Sequence, residues 1–151
     1  MAGIVDQAIG TCGDLPVFGE RVKPCILVVE DNQLNRELLR DWLEVEDYEV
    51  WCAADLKESY EVFSKRLPDA VLLDINLGKD NGLDLLAWML QKTETREIPV
   101  IAVTAHALVA EQERILKAGC RACLSKPVNF QLLRGELIRS LQDSKTPQTD
   151  S

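Results

Sequence analysis

Histidine is nearly missing from this chain: His106 is the single copy among 151 residues. With so few imidazoles, and with one C-x-x-C pair (Cys120 and Cys123) but no second, a closed four-ligand zinc site within the chain lacks donors. The five cysteines, Cys12, Cys25, Cys52, Cys120 and Cys123, are odd in number and scattered, unlike a disulfide framework. Reduced, buried small side chains are expected instead. Positive charge is also in deficit. Lys and Arg number 17 against 25 Asp and Glu, a formal net charge of −8 that argues against binding nucleic acid or anionic membrane and points to proteins as partners. No apolar run approaches the roughly 20 residues that span a bilayer, so membrane insertion is not expected. The first residues lack the basic region, apolar core and cleavage site of a secretory signal, and a cytoplasmic location is the expectation.

What remains is enough chain for one domain with a substantial core. Residues 1–23 carry scattered Gly and Pro without a sustained period and read as an irregular extension, docked in part through Val17 and Phe18. Residues 142–151 are polar and are expected to be disordered. Between them, residues 24–141 alternate short apolar runs with helical periodicity. Strands are expected over Cys25–Val29, Glu49–Ala53, Ala70–Asp74, Val100–Thr104 and Ala122–Ser125. Leu34, Leu38, Leu39, Trp42 and Leu43 recur at helical spacing, and Asp55 followed by Glu58 is a capping-box pattern opening a second helix through about Arg66. Three more helices are expected: Gly82 to about Gln91, Ala107–Lys117 ending at a Gly119 cap, and one after Pro127 through Leu141. Five strands alternating with five helices on short connections predict an α/β fold, a doubly wound parallel sheet with helices on both faces.

Four of the five apolar runs end in a polar residue of chemical interest: Glu30-Asp31, Asp74, Thr104 and Lys126. An open α/β sheet binds its ligand beyond the carboxyl ends of its strands, so three carboxylates, a hydroxyl and an ammonium would meet in one crevice. Each has an ordinary alternative. Asp74 suits a turn, Asp31 and Thr104 suit helix caps, and Lys126 can be a solvated surface lysine. Recurrence at four strand ends favours a shared site. Carboxylates crowded together call for a hard divalent cation, magnesium rather than zinc given oxygen donors and one histidine, and Asp74 can act as a nucleophile toward a phosphoryl donor. The Lys126-Pro127 bond is a candidate for a cis peptide.

The segments Ile26-Leu-Val-Val-Glu-Asp-Asn-Gln-Leu-Asn35, Val71-Leu-Leu-Asp-Ile-Asn-Leu77 with Gly82 after it, Ile98-Pro-Val-Ile-Ala-Val-Thr-Ala105, and Ala118-Gly-Cys120 leading to Lys126-Pro127 resemble the receiver domain of bacterial two-component signalling, the CheY-like family, over about Pro24 to Leu141. The resemblance implies a flavodoxin-like three-layer sandwich. It also implies that Asp74 accepts a phosphoryl group from the phosphohistidine of a sensor kinase or histidine phosphotransfer protein. Magnesium would be held by Asp31 and Asp74, by the backbone carbonyl of Asn76 and, through water, by Glu30. Thr104 and Lys126 would contact the phosphoryl oxygens, with the Ala105 amide nearby. Two positions depart from the family pattern: Cys123 stands where an aromatic usually precedes the lysine by three residues, and Gly78 where many receivers have Pro, which predicts a more mobile loop. His106, two residues past Thr104, controls water access in the family or is a solvated first-turn residue. Leu34, Asn35 and Arg36 contact the partner or are ordinary core and surface.

The reading that follows is a stand-alone, single-domain response regulator with output through a downstream protein target or a phosphorelay. It would not be an enzyme with separate substrate turnover. Alternatives are a phosphorylation-independent interaction module and the receiver fragment of a hybrid histidine kinase. A haloacid-dehalogenase-type phosphatase would need a second Asp two residues past Asp74, where Asn76 stands.

Overall fold

In the computed structural model, residues 23–106 and 108–145 are described. The expected irregular extension lies outside the described residues except for Lys23, as do the docking expected through Val17 and Phe18 and residues 146–151 of the expected tail.

All five expected strands form: β1 (Cys25–Val29), β2 (Glu49–Ala53), β3 (Ala70–Asp74), β6 (Val100–Thr104) and β7 (Ala122–Ser125). They make one parallel sheet in the order β2-β1-β3-β6-β7. The five helices are α1 (Gln33–Val45), α2 (Leu56–Lys65), α3 (Gly82–Leu90), α4 (Val109–Lys117) and α5 (Phe130–Lys145). A short ribbon, β4 (Asn76–Leu77) and β5 (Asp80–Asn81), is the one element that periodicity does not announce.

The alternation of each strand sorts the apolar residues onto two faces. Leu27, Val29, Val71, Leu73 and Ala102 join Phe63, Leu85, Leu86, Met89 and Ile115 in one core. Ile26, Val28, Leu72 and Ile101 join Leu39, Leu43, Leu133, Leu137 and Leu141 in the other. Central strands buried on both faces explain the unbroken apolar runs. The heavily apolar α3 is covered as its composition demands, with Trp88 packed at 4.9 Å from Tyr60 and 5.3 Å from Phe63 of α2.

Local chemistry sets the boundaries. Asp55 Oδ1 accepts the Glu58 N–H at 2.9 Å, and Glu58 Oε1 accepts the Ala54 N–H at 2.7 Å, a capping box one residue out of the usual register. Asn32, rather than Asp31, caps α1: its Oδ1 accepts the Asn35 N–H at 2.9 Å. That leaves the Asp31 carboxylate free for the crevice. Gly119 ends α4 with φ +121, the left-handed conformation expected there. Helix α5 runs on through Lys145, so residues 142–145 are helical and not part of a disordered tail. Buried Leu141 anchors the last turns, and the polar residues after it continue the same backbone ladder.

Candidate functional site

The chain leaves β1 for β2 on one side and returns to β3 on the other, so the strand order reverses beside β1. A crevice opens at such a switch point, beyond the carboxyl ends of β1 and β3. Glu30 and Asp31 follow β1 directly and Asp74 ends β3. One carboxylate oxygen of each lies within 4.8 Å of the others, so the sheet brings the three predicted acids together. Glu30 and Asp74 are buried, 3% and 2% exposed, whereas Asp31 is exposed.

Lys126, one residue past β7, reaches back across the sheet end. Its Nζ donates to Asp74 Oδ2 at 3.0 Å and pairs with Glu30 Oε1 at 3.4 Å. The Lys126-Pro127 peptide is cis, as the sequence suggested. Burial alone would lower the ammonium's pKa. The hydrogen bond and attraction to Asp74, then to Glu30, outweigh it and hold Lys126 above its ordinary value. Glu30 moves upward too, first through burial and then through repulsion from Asp74, with the Asn32 N–H and Lys126 pulling the other way.

Backbone groups fix the remaining oxygens. The Asn76 N–H donates to Asp74 Oδ1 at 3.0 Å and the Asn32 N–H to Glu30 Oε2 at 3.2 Å. Thr104, the last residue of β6, is fully buried, and its Oγ1 accepts the His106 N–H at 3.1 Å. With that lone pair occupied, the hydroxyl proton is available to another acceptor. Lys126 N–H donates to the Thr104 carbonyl at 2.8 Å, which ties the hydroxyl and ammonium positions to one backbone link. Ala105 and His106 are exposed beside them.

Three carboxylates against one ammonium leave two negative charges without a counter-charge, and every acidic donor is oxygen. That set fits a hard divalent cation. Cysteine offers no competing chemistry: burial pushes the Cys25 and Cys120 thiols up to about 12.

Three features near the site escaped the sequence. Gly82, the first residue of α3, passes so close to β3 that a Cβ would stand 2.5 Å from the Asp74 carbonyl oxygen. Its N–H donates to the Ile75 carbonyl at 2.8 Å. The segment expected to be a mobile loop is a hairpin in which Leu77 pairs with Asp80 across Gly78-Lys79, with Gly78 at φ +59. A two-residue hairpin turn with glycine first is the readable signal for it. Arg36, offered as partner contact or surface, folds back on the acidic turn, its Nη1 donating to the Glu30 carbonyl at 2.9 Å and to that of Asp31 at 3.3 Å. Leu34 is exposed on the same helix.

The geometry has counterparts in known proteins. The response regulator receiver domain family matches residues 26–138. The polar-differentiation response regulator DivK of Brucella anthropi is 40% identical over 104 residues, covering 69% of this chain and 85% of DivK. Among solved structures, a CheY-like response regulator receiver domain protein from Methanospirillum hungatei superposes with a TM-score of 0.74 at 27% identity, covering 82% of this chain and 98% of its own. The signal receiver domain of a signal transduction histidine kinase from Syntrophus aciditrophicus gives 0.75 at 26% identity, covering 85% and 97%. A parallel sheet in this order, with an acidic cluster and a lysine at its carboxyl edge and a family match across nearly all of it, makes the chain a member of the response regulator receiver domain family.

Proposed function

We propose that this chain is a single-domain response regulator that takes a phosphoryl group from a phosphohistidine onto Asp74. The observation that carries the reading is the convergence of Glu30, Asp31 and Asp74 within 4.8 Å, with Lys126 3.0 Å from Asp74. An Asp74 carboxylate oxygen attacks phosphorus as the donor's N–P bond breaks. The imidazole leaves with the electron pair and takes up a proton, and an acyl phosphate remains on Asp74.

The chain's own groups position and neutralise. The Asn76 N–H holds one Asp74 oxygen and so orients the carboxylate toward the crevice. Lys126 moves from Asp74 Oδ2 to a phosphoryl oxygen, and the Thr104 hydroxyl donates to another, with the exposed Ala105 N–H beside it. Glu30, Asp31, Asp74 and the Asn76 carbonyl are the groups to hold magnesium, Glu30 through water. When bound, the ion supplies positive charge against the phosphoryl oxygens. Asn76 gives no carboxyl two residues past the acceptor to shuttle protons, which supports an acceptor rather than a turnover enzyme.

A histidine kinase or histidine phosphotransfer protein is the donor on this reading. An apolar groove of about 450 Å³ lies beside Lys126, lined in part by Leu38, Pro127, Val128 and Phe130, and gives such a partner a seat next to the acceptor. No described helix is long and apolar enough to cross a membrane, which accords with a cytoplasmic protein signalling to a protein target or along a phosphorelay. Coverage of 85% of DivK's length supports action without an attached output module.

Intact-mass spectrometry after incubation with a small-molecule phosphodonor and magnesium tests the proposal. One phosphoryl adduct is expected, absent in Asp74→Asn and in a chelated control. An adduct retained by Asp74→Asn, or none on folded wild-type protein, refutes it, and the second result favours the phosphorylation-independent module.

A further inference from the structure

The three carboxylates are not held alike. Glu30 is tied by the Asn32 N–H and Lys126, and Asp74 by the Asn76 N–H and Lys126. Among the described residues, no hydrogen bond or ion pair reaches the Asp31 carboxylate, which is also the exposed member of the cluster. Its direction is therefore set by its backbone. The side chain that grips this backbone is Arg36, whose Nη1 sits 2.9 Å from the Glu30 carbonyl and 3.3 Å from that of Asp31. Arg36 is itself fixed, because its own N–H donates to the Asn32 carbonyl at 2.9 Å in the first turn of α1, the turn that Asn32 caps.

We propose that Arg36 is a positioning residue for divalent-cation binding: by holding the Glu30-Asp31 turn from behind, it aims the otherwise untethered Asp31 carboxylate at the oxygens of Glu30 and Asp74. The proposal rests on the receiver reading and adds to it a residue that touches neither ion nor phosphoryl group. Second-layer groups of this kind typically change metal affinity 10- to 100-fold when removed.

Charge and geometry predict opposite signs here, which makes the role testable. A guanidinium near an acidic cluster repels an incoming cation, so if charge alone mattered its removal would tighten magnesium binding. If positioning dominates, removal weakens it. Lysine separates the two further, because it keeps the charge and gives up the rigid planar donor that spans both carbonyls.

The experiment is calorimetric titration of the full chain with MgCl2, comparing wild type, Arg36→Ala, Arg36→Lys and Arg40→Ala, an exposed arginine one turn further along α1. Both Arg36 variants are expected to bind magnesium about 10-fold or more weakly, while Arg40→Ala stays close to wild type. In phosphorylation with a small-molecule donor, the magnesium concentration for half-maximal rate rises in the Arg36 variants and the rate at saturating magnesium returns toward wild type. A merely structural role would not produce that split. Should Arg36→Ala fail to fold, as judged by its melt in chelator, Arg36→Lys carries the test. Magnesium binding in the Arg36 variants as tight as in wild type, or tighter, overturns this proposal alone. No magnesium binding by wild type overturns it together with the receiver reading.

Discussion

Replacing Gly82 by alanine places a methyl group where the structure has no room for one. The added Cβ would lie 2.5 Å from the Asp74 carbonyl oxygen and 3.0 Å from Ile75 Cα, both backbone atoms that cannot rotate away. Opening the first contact to the 3.4 Å of ordinary packing moves the end of β3 or the start of α3 by roughly 0.9 Å. Overpacking of this kind costs about 1–3 kcal/mol, offset in part by the better helix propensity of alanine, about 0.8–1 kcal/mol. A net loss of about 1–2 kcal/mol lowers the melting temperature by about 4–8 °C in a domain of this size. Because the displaced carbonyl belongs to the acceptor residue, phosphorylation should slow by up to about 100-fold in protein that is still folded. Gly135, within α5, is the control: a Cβ there meets nothing closer than the flexible end of Arg139, at 3.6 Å. The same substitution at Gly135 should therefore stabilise by about 0.5–1 kcal/mol. Thermal and denaturant melts of the two variants, with phosphorylation rates by intact mass, decide the matter. Equal destabilisation by both changes would mean that losing a helical glycine, and not close approach to Asp74, sets the cost.

Lys126→Met removes the ammonium shared by two buried carboxylates. Breaking a buried pair costs about 3–5 kcal/mol, reduced to about 2–3 kcal/mol because the Lys126 side chain keeps 28% of its exposure; in chelator the variant should melt lower, and added magnesium should raise its melting temperature by more than it raises that of wild type. Equal magnesium-induced shifts would count against a shared acidic site. Glu30 has a folded pKa above its ordinary 4.5, so the folded state binds that proton more tightly than the unfolded one. Its contribution to stability is full below the unfolded value and lost as pH rises through the folded one. In chelator, Glu30→Gln should therefore gain most over wild type at neutral pH and progressively less toward pH 4.5, and a gain independent of pH would rule out this source. Gly78→Pro demands φ near −65° where the hairpin has +59°, and a loss of about 1–3 kcal/mol is expected. Unchanged stability would show that the Leu77-Asp80 pairing contributes nothing.

Fold and acceptor were legible for a common reason. Strands β1, β3 and β6 are buried on both faces, so their runs are unbroken and the residue ending each run is forced to the sheet's carboxyl edge. Asp74, Thr104 and the Glu30-Asp31 pair could be placed without coordinates because strand geometry places them. What escaped depends on side-chain reach or on contacts between distant backbones. Arg36 lies one turn into a helix, and only its rotamer decides whether it meets solvent or the turn behind it. Gly82 is legible as a glycine at a helix start, but the Asp74 carbonyl it admits is a tertiary contact. The α1 cap fell one residue late because Asp31 and Asn32 are both good caps, and the sequence does not say which of two adjacent residues turns outward. The β4-β5 ribbon is too short to show a period, although Gly-Lys between Leu77 and Asp80 carries the hairpin signal.

The two departures from the family pattern fall on different parts of this machinery. Gly78 is at the site: a Cβ there would come 3.4 Å from Asp31 Oδ2, so the hairpin lies against the one carboxylate that no hydrogen bond fixes among the described residues. Cys123 is on β7 opposite Ala102, half-buried against the core beneath α3 and α4, and its thiol is raised first by burial and then by Glu111 of α4. It is one strand position before Leu124, which pairs with Val103, and two before Ser125, which pairs with Thr104, so it lies behind the acceptor chemistry rather than within it. An aromatic ring at this point would have to be accommodated between β7 and α4, and a thiol leaves that space to smaller groups. Acceptance and readout are thus carried by separable residues. Asp74, Lys126 and the acidic turn are complete without Cys123, and the cysteine alters only how a displacement at Thr104 is passed along β7 to α4.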